Sequence, residues 1–498
     1  MRRSTLYAAT CVWLGAWLLC LAVPAQPDKT PTWAGHWEGK LTVTAGMELR
    51  LGFSLTEKDG KWSGLMHSPD QGVKNIPLSS VEPSGDKIKL EFKAGNATYE
   101  AQRSSDGTTL KGEFKQGSLK LPLELRRVEK FSELKRPQTP KKPYPYKEEE
   151  VSYENAKHKI KLGGALTLPQ GEGPFPCVLL ITGSGAQDRD ETLFEHKPFL
   201  VIADRLTRNG IAVLRVDDRG VGKSGQGTKD DTSADFMEDV LAGVAYLKTR
   251  KEINPRKIGL CGHSEGGLIA PMAAARNPED IAFIILLAGP GLPGDQIIAM
   301  QSRLILKAMG APDDFLDWHA ALHKKLMAVL RAETEYKTVE EKVKVAILDA
   351  LPLLTPEMRG YVMKSLPKTD KGKDQAEPKL EELLFKQMEP GLKPFASGWF
   401  RYFLQFDPRP TLAKVKCPVL AINGELDLQV PPKENLAAIE KALKAGGNKD
   451  VTVKEFPKLN HLFQTSKTGN VTEYATIEET MAPQVLECIT AWLQERVK

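Results

Sequence analysis

Six mostly apolar runs recur in the second half of the chain: CVLLIT (177–182), IAVLRV (211–216), KIGLCG (257–262), IAFIILLA (281–288), CPVLAI (417–422) and VTVKEF (451–456). A strand with one wet face alternates apolar and polar residues, whereas a strand buried on both faces reads as a near-continuous apolar run. Stretches of helical spacing separate most of these runs, so the expected fold class is α/β: a mostly parallel sheet flanked by helices and wound by right-handed crossovers. The strands stop between Pro293 and Phe406, where segments such as DDFLDWHAALHKKLMAVLRAE (313–333) have helical period. Residues 293–406 are therefore expected to form an all-helical insert, dividing the α/β domain into 151–292 and 407–498.

The chain ahead of this pattern reads differently. From residue 33 to 128 apolar residues alternate in short bursts (Leu49, Leu51, Phe53, Leu55; Ile88, Leu90, Phe92; Leu119 to Leu125), punctuated by Asp59-Gly60, Gly85-Asp86 and Asp106-Gly107. Period two with such turns predicts a small all-β barrel or sandwich of about eight antiparallel strands. Residues 129–150, with four prolines among charges, are expected to be a linker. At the start, Arg2 and Arg3 precede an apolar run and small residues at Val23 and Ala25, the layout of a signal peptide over 1–25 and hence of a secreted or periplasmic protein. An uncleaved N-terminal membrane anchor is the alternative; if the leader is cleaved, no stable membrane insertion is expected. Cys177, Cys261, Cys417 and Cys488 form no CxxC pair and read as free thiols. A net charge of +5 over 498 residues, with no basic stretch interleaved with aromatics, argues against nucleic acid as a partner. Oligomeric state is not legible.

One stretch carries chemistry. GLCGHSEGGL (259–268) places Ser264 after a predicted strand and before a predicted helix, where a sharp turn exposes its hydroxyl and glycines at 262 and 266 leave room for the chain. A serine hydroxyl needs a base and an acid that orients the base, and on such a turn these follow in the order acid, then histidine. His461, in the loop after VTVKEF, is the only histidine beyond the last strands. The acid belongs to NGELDLQVPP after CPVLAI; Asp427 is favoured and Glu425 is the reserve. Oxyanion donors are expected from the backbone amides of Glu265 and of the GSGAQDRDE loop, with Ser184 chosen and Gly185 possible. The acidic and basic residues 188–191 read as ion pairs fixing that loop rather than as a metal site, since no histidine or cysteine stands at ligand spacing. VDDRGVGKSG (216–225) reads as a tight structural turn with Arg219 paired locally.

GHSEGG, DDRGVGKS, GELD and NHLF, in this order, resemble the α/β-hydrolase superfamily over about residues 150–498, with the helical insert as lid. The GSGAQDRDE loop, WFRYFLQFDP (399–408) and the exported β domain are further similar to bacterial esterases grouped with serine-aminopeptidase-like (S33-type) hydrolases. That resemblance implies hydrolysis of carboxylic esters with short acyl chains, needs no cofactor, and supports Asp427 over Glu425. The expected partner is a small-molecule acyl ester. Trp399, Phe400, Tyr402 and Phe403 are candidates to line its pocket. A peptidase or amidase using the same triad, and an envelope-binding protein with an inert hydrolase domain, are the alternatives.

Overall fold

The structure is a computed structural model that describes residues 32–44, 47–71, 73–116, 119–365 and 380–497. The expected leader, 1–25, and residues 366–379 of the expected insert lie outside the described residues.

The N-terminal domain is one antiparallel sheet of nine strands: β1 (Gly35–Thr44), β2 (Met47–Lys58), β3 (Lys61–Ser68), β4 (Val73–Pro77), β5 (Ser80–Ser84), β6 (Lys87–Phe92), β7 (Ala97–Arg103), β8 (Thr109–Gln116) and β9 (Leu119–Val128). Its order is β4-β3-β2-β1-β9-β8-β7-β6-β5. The two outermost strands are consecutive in sequence, joined only by Leu78 and Ser79. Leu78 N–H donates to Gly64 O of β3 (2.8 Å) and Ser79 N–H to Glu91 O of β6 (2.6 Å). The sheet therefore curls until its ends meet, and the period-two residues Leu51, Phe53, Leu55, Ile88, Leu90, Leu123 and Leu125 fill the interior with Trp37 and Tyr99. The expectation of about eight strands falls short by one. SVEPS contains Pro83, which a central strand would not tolerate, but β5 is an edge strand and needs no donor there.

The linker is shorter than expected. Its last four residues, Lys147 to Glu150, begin β10, and the rest docks rather than dangles: Arg136 donates to the carbonyls of Phe194, Ala475 and Ile477, and Gln138 bonds the backbone of Thr480 and Met481. The acidic run fits a strand because β10 lies at a sheet edge and its carboxylates meet arginines: Glu148 with Arg215, Glu149 with Arg250, Glu150 with Arg189.

The second sheet comprises β10 (Lys147–Asn155), β11 (Ile160–Leu168), β12 (Phe175–Ile181), β13 (Ala212–Val216), β14 (Ile253–His263), β15 (Ile284–Leu287), β16 (Val419–Gly424) and β17 (Val451–Phe456), in the order β10-β11-β13-β12-β14-β15-β16-β17. β10 and β11 pair antiparallel, as does β11 with β13; every pair from β13 to β17 is parallel. Helices α1 (Pro198–Arg208) and α12 (Pro483–Arg496) cover one face; α2 (Ser233–Lys248), α3 (Gly266–Arg276) and α11 (Pro432–Ala445) cover the other. The insert supplies α4 (Gly294–Ala308), α5 (Asp313–Ala332), α6 (Tyr336–Ala350), α7 (Pro356–Ser365), α8 (Leu380–Phe395) and α9 (Gly398–Gln405), with an apolar core of its own, before α10 (Arg409–Leu412) returns the chain to the sheet. Among the described residues no helix is long and apolar enough to cross a membrane. The four cysteines in the described residues are free, and burial pushes the Cys177 and Cys261 thiols up.

The winding decides where a site can form. The chain runs from β12 outward to β13, then crosses back to β14 on the other side of β12, so the loops leaving β12 and β14 part in opposite directions and open a crevice at the C-terminal edge of the sheet. The loops after β16 and β17 emerge at that same edge.

Candidate active site

Ser264 occupies the turn between β14 and α3 with φ +52°, a left-handed conformation that a non-glycine residue adopts only at a cost. Its amide donates to Leu287 O at the end of β15 (2.8 Å). The flanking glycines answer to close approach. A Cβ on Gly262 would stand 2.0 Å from Gly266 O, and one on Gly266 would stand 2.2 Å from Ile181 O. The turn can be this tight only because neither position has a side chain.

Asp427 and His461 come from the adjacent, parallel β16 and β17. His461 Nδ1 lies 2.7 Å from Asp427 Oδ2, while Asp427 Oδ1 accepts the amides of Gln429 (2.8 Å) and Val430 (2.9 Å). A carboxylate holding three donors is an acceptor on both oxygens, so Nδ1 carries a proton, and Nε2 has no hydrogen-bond partner among the described residues. The His461 loop is braced by Asn460, whose Oδ1 accepts the amides of Leu462 and Gln464. Glu425, the reserve acid, is exposed and accepts the amide of Lys458 instead (2.9 Å). The imidazoles of His461 and His263, the residue before the serine, lie 4.8 Å apart between centroids.

The loop after β12 closes over the serine: a Cβ on Gly183 would be 3.2 Å from Ser264 Cβ. Gly183 N–H is taken up by Glu191 Oε1 (2.7 Å), whereas the amides of Ser184 and Glu265 have no acceptor among the described residues. The DD pair of the turn after β13 supports this loop. Asp217 holds Arg189 through its Nε and Nη2, and Asp218 accepts Thr182 Oγ1 (2.7 Å) and the Gln187 amide (2.9 Å). Burial pushes the Asp218 carboxyl up to about 7. Three of the charged residues 188–191 do find charged or imidazole partners: Arg189 with Asp217 and Glu150, Asp190 with Arg215 and Lys197, and Glu191 with the His263 ring; Asp188 accepts backbone amides instead. Arg219 likewise reaches Asp239 on α2.

A sequence-family profile described as serine aminopeptidase, S33, matches residues 196–359, about a third of the chain; that span holds Ser264 and ends before Asp427 and His461. Residues 147–365 and 380–497 have the α/β-hydrolase fold. Esterase EstD of Thermotoga maritima is 35% identical over 144 residues, 29% of this chain and 34% of that protein. The putative hydrolase YtaP of Bacillus subtilis is 31% identical over 120 residues, 21% of this chain and 40% of that protein. The chain thus spans about a third to two fifths of the curated relatives it matches. Among solved structures, ferulic acid-bound Est1E from Butyrivibrio proteoclasticus is 18% identical with a TM-score of 0.38, covering 70% of this chain and 99% of its own. The Pyrococcus furiosus esterase Pf2001 is 16% identical with a TM-score of 0.41, covering 74% and 100%.

Beside the serine turn the α/β domain holds a cavity of about 690 Å³ under the lid, its surface mainly apolar; Gly183, Gly185 and Glu265 line it together with the charged Asp217, Asp218, Arg219, Lys229, Asp231 and Asp239, whereas Ser264, Asp427 and His461 do not. Of the four aromatics expected to line a pocket, only Trp399 does so. Phe400 and Phe403 face other sides of α9, into the lid core and against the helices of the sheet, and Tyr402 packs on the latter as well; Phe395 of α8 lines the cavity in their stead. The Glu265 side chain was passed over in the sequence. It is buried, with Oε1 accepting Ser233 Oγ (2.6 Å) and Trp399 Nε1–H (2.8 Å), and a further bond from Ser184; burial nevertheless raises its carboxyl. Glu191 is expected from the sequence to help fix its loop, but its partner His263 is not, because the contact between them spans 72 residues. An acidic residue on one predicted loop and a histidine beside the serine were the available signals. Among the described residues no group of three or more His, Cys, Asp or Glu is placed to hold a metal ion.

Proposed function

We propose that this protein is an exported serine hydrolase that cleaves carboxylic esters with short acyl chains through Ser264, His461 and Asp427. The observation that carries the reading is the Asp427–His461 hydrogen bond beside a serine on a left-handed turn, all at one edge of the sheet. Ser264 Oγ attacks the acyl carbonyl as His461 Nε2 takes its proton; Asp427 keeps Nδ1 protonated and stabilises the imidazolium that forms. The tetrahedral oxyanion is received by the amides of Glu265 and Ser184, each worth about a hundredfold to a thousandfold in rate. His461 returns the proton to the leaving alcohol, and water, activated by the same imidazole, releases the acid from the acyl-enzyme. The lid and the mainly apolar surface of the cavity suit a small acyl or alcohol group. The esterase named among the relatives supports the ester over other acyl substrates. Export is inferred from the signal-like layout of residues 1–25, with Arg2 and Arg3 ahead of an apolar run.

A second reading, peptide or amide cleavage by the same three residues, is favoured by the family description and by the carboxyls of Asp218 and Glu265 in the cavity wall. Turnover of a short p-nitrophenyl ester and of an aminoacyl anilide, with Ser264→Ala as the blank, separates the two: fast anilide and poor ester cleavage would overturn the ester reading. A wild-type chain that a fluorophosphonate fails to label at Ser264 would mean an inert domain and a binding role.

A further inference from the structure

Behind the serine turn stands a second carboxylate–imidazole pair. His263 Nδ1 lies 3.0 Å from Glu191 Oε1, and its Nε2 lies 3.1 Å from the carbonyl oxygen of His461. A carbonyl oxygen can only accept, so Nε2 carries a proton. Glu191 Oε1 already accepts the Gly183 amide at 2.7 Å, which marks it as an acceptor facing Nδ1 as well. With Glu191 ionised, Nδ1 must donate to it, and both ring nitrogens then carry protons. The Glu191 backbone is left-handed, φ +52°, a conformation held at a cost and one that delivers Oε1 to Gly183 and His263 together.

We propose that His263 stands as an imidazolium between Glu191 and the His461 carbonyl, a buried ion pair that positions the oxyanion loop, the serine turn and the His461 loop against one another. The inference rests on the reading of Ser264 as nucleophile for its consequence, though not for its protonation state. Glu191 and His263 expose 7% and 9% of their side chains, so water neither screens the pair nor replaces either contact. Burial pulls the imidazole down, yet the charge and hydrogen bond of Glu191 and the His461 carbonyl together hold it above its ordinary value. The groups facing it are Glu191, the His461 ring and, further off, Asp427; Glu191 in turn faces Asp218. The pair has three anchorages: Gly183 on the loop after β12, the serine turn through His263, and the loop after β17 through the His461 carbonyl. His263 is a positioning residue and touches no reacting atom.

The first test counts protons. In the full chain labelled with 15N-histidine, near neutral pH, His263 should show two downfield ring N–H resonances that vanish together in His263→Gln. A single ring proton, which would mean that the second has moved to Glu191 or is absent, overturns the proposal. The second test follows fluorophosphonate labelling of Ser264 against pH. Glu191→Gln should label about tenfold to a hundredfold more slowly, the effect of a small misplacement of reacting groups. Its alkaline limb should lie about one to three pH units lower, because an opposite charge at this distance holds a titrating group by that much. Labelling at the wild-type rate with unmoved limbs overturns the positioning role. If Glu191→Gln fails to fold, the proton count on the wild-type chain still decides. A wild-type chain that never labels sinks the nucleophile reading alone, and the proton count then judges this one separately.

Discussion

His461 and His263 sit ring against ring, each on a buried carboxylate, and differ in one nitrogen. His461 has Nδ1 on Asp427 and no partner for Nε2 among the described residues; His263 has both nitrogens engaged. An imidazole with one open nitrogen can take a proton and give it back. An imidazole filled on both sides can only hold its neighbours. On the reading proposed above, the same pair of functional groups is reagent in one position and brace in the other, and the deciding variable is whether the second nitrogen meets an acceptor.

The largest effect expected follows from the open nitrogen. His461→Ala should lower ester turnover about a millionfold, as loss of a triad base does, whereas His263→Gln should cost far less, about tenfold to a hundredfold. Steady-state kinetics on a p-nitrophenyl ester measure both; equal losses would erase the distinction between the two rings. Next comes the acid. Asp427→Asn keeps the shape of the side chain but offers Nδ1 a donor in place of an acceptor, turning His461 to the wrong tautomer, and should cost about ten thousandfold in kcat. Glu425→Gln, whose carboxylate is exposed and serves only the Lys458 amide, should leave kcat within about twofold. If the two variants exchanged behaviour, the choice between these acids would be reversed.

A smaller effect separates the braces by pH. The His263 imidazole is raised, so its contribution is fully present below its ordinary value and is lost as pH climbs through the raised one. Asp218, pushed by burial from 3.8 to about 7, acts with the same sign: an unfolded chain ionises it first, and stability falls as pH rises between those values. The melting midpoint should accordingly drop by a few degrees on going from mildly acidic to alkaline solution. Asp218→Asn should flatten the lower part of that slope and Glu191→Gln the upper part. A midpoint that rises with pH over this range would refute the assignment for both groups.

What could be read from the residues alone divides along the same line. The six buried strands, the helical insert and the order of Ser264, Asp427 and His461 were legible because each leaves a local trace: a run, a period, a motif at a strand end. Strands β10 and β11 were not, since KEEEVSYEN carries the charges of an edge strand paired to arginines from elsewhere in the chain. Ser184 and Glu265 are expected as amide donors from the turn geometry that a nucleophilic serine requires, and their amides have no acceptor among the described residues. That Glu191 would meet His263, or that Glu265 would bind the lid, could not, because these contacts join residues 72 and 134 apart and follow only from how the sheet is wound. The aromatic run of α9 shows the limit from the other side: four rings in five residues cannot share one face of a helix, so one reached the cavity.

That one ring supports the finest comparison. Trp399 Nε1–H donates to the carboxyl of the residue whose amide is expected to receive the oxyanion, so the lid meets the serine turn by a hydrogen bond as well as by a wall. Trp399→Phe keeps most of the wall and removes the donor, leaving the Glu265 carboxyl with Ser233 and Ser184. Losing one such bond is worth about 1 kcal/mol, or about fivefold. If the bond helps hold Glu265, that loss should appear in kcat with KM little changed. Trp399→Ala should add a rise in KM, since it opens the cavity. The two variants therefore separate brace from wall: a Trp399→Phe enzyme with wild-type kcat would show that the indole merely closes the cavity, and that the lid takes no part in holding the turn.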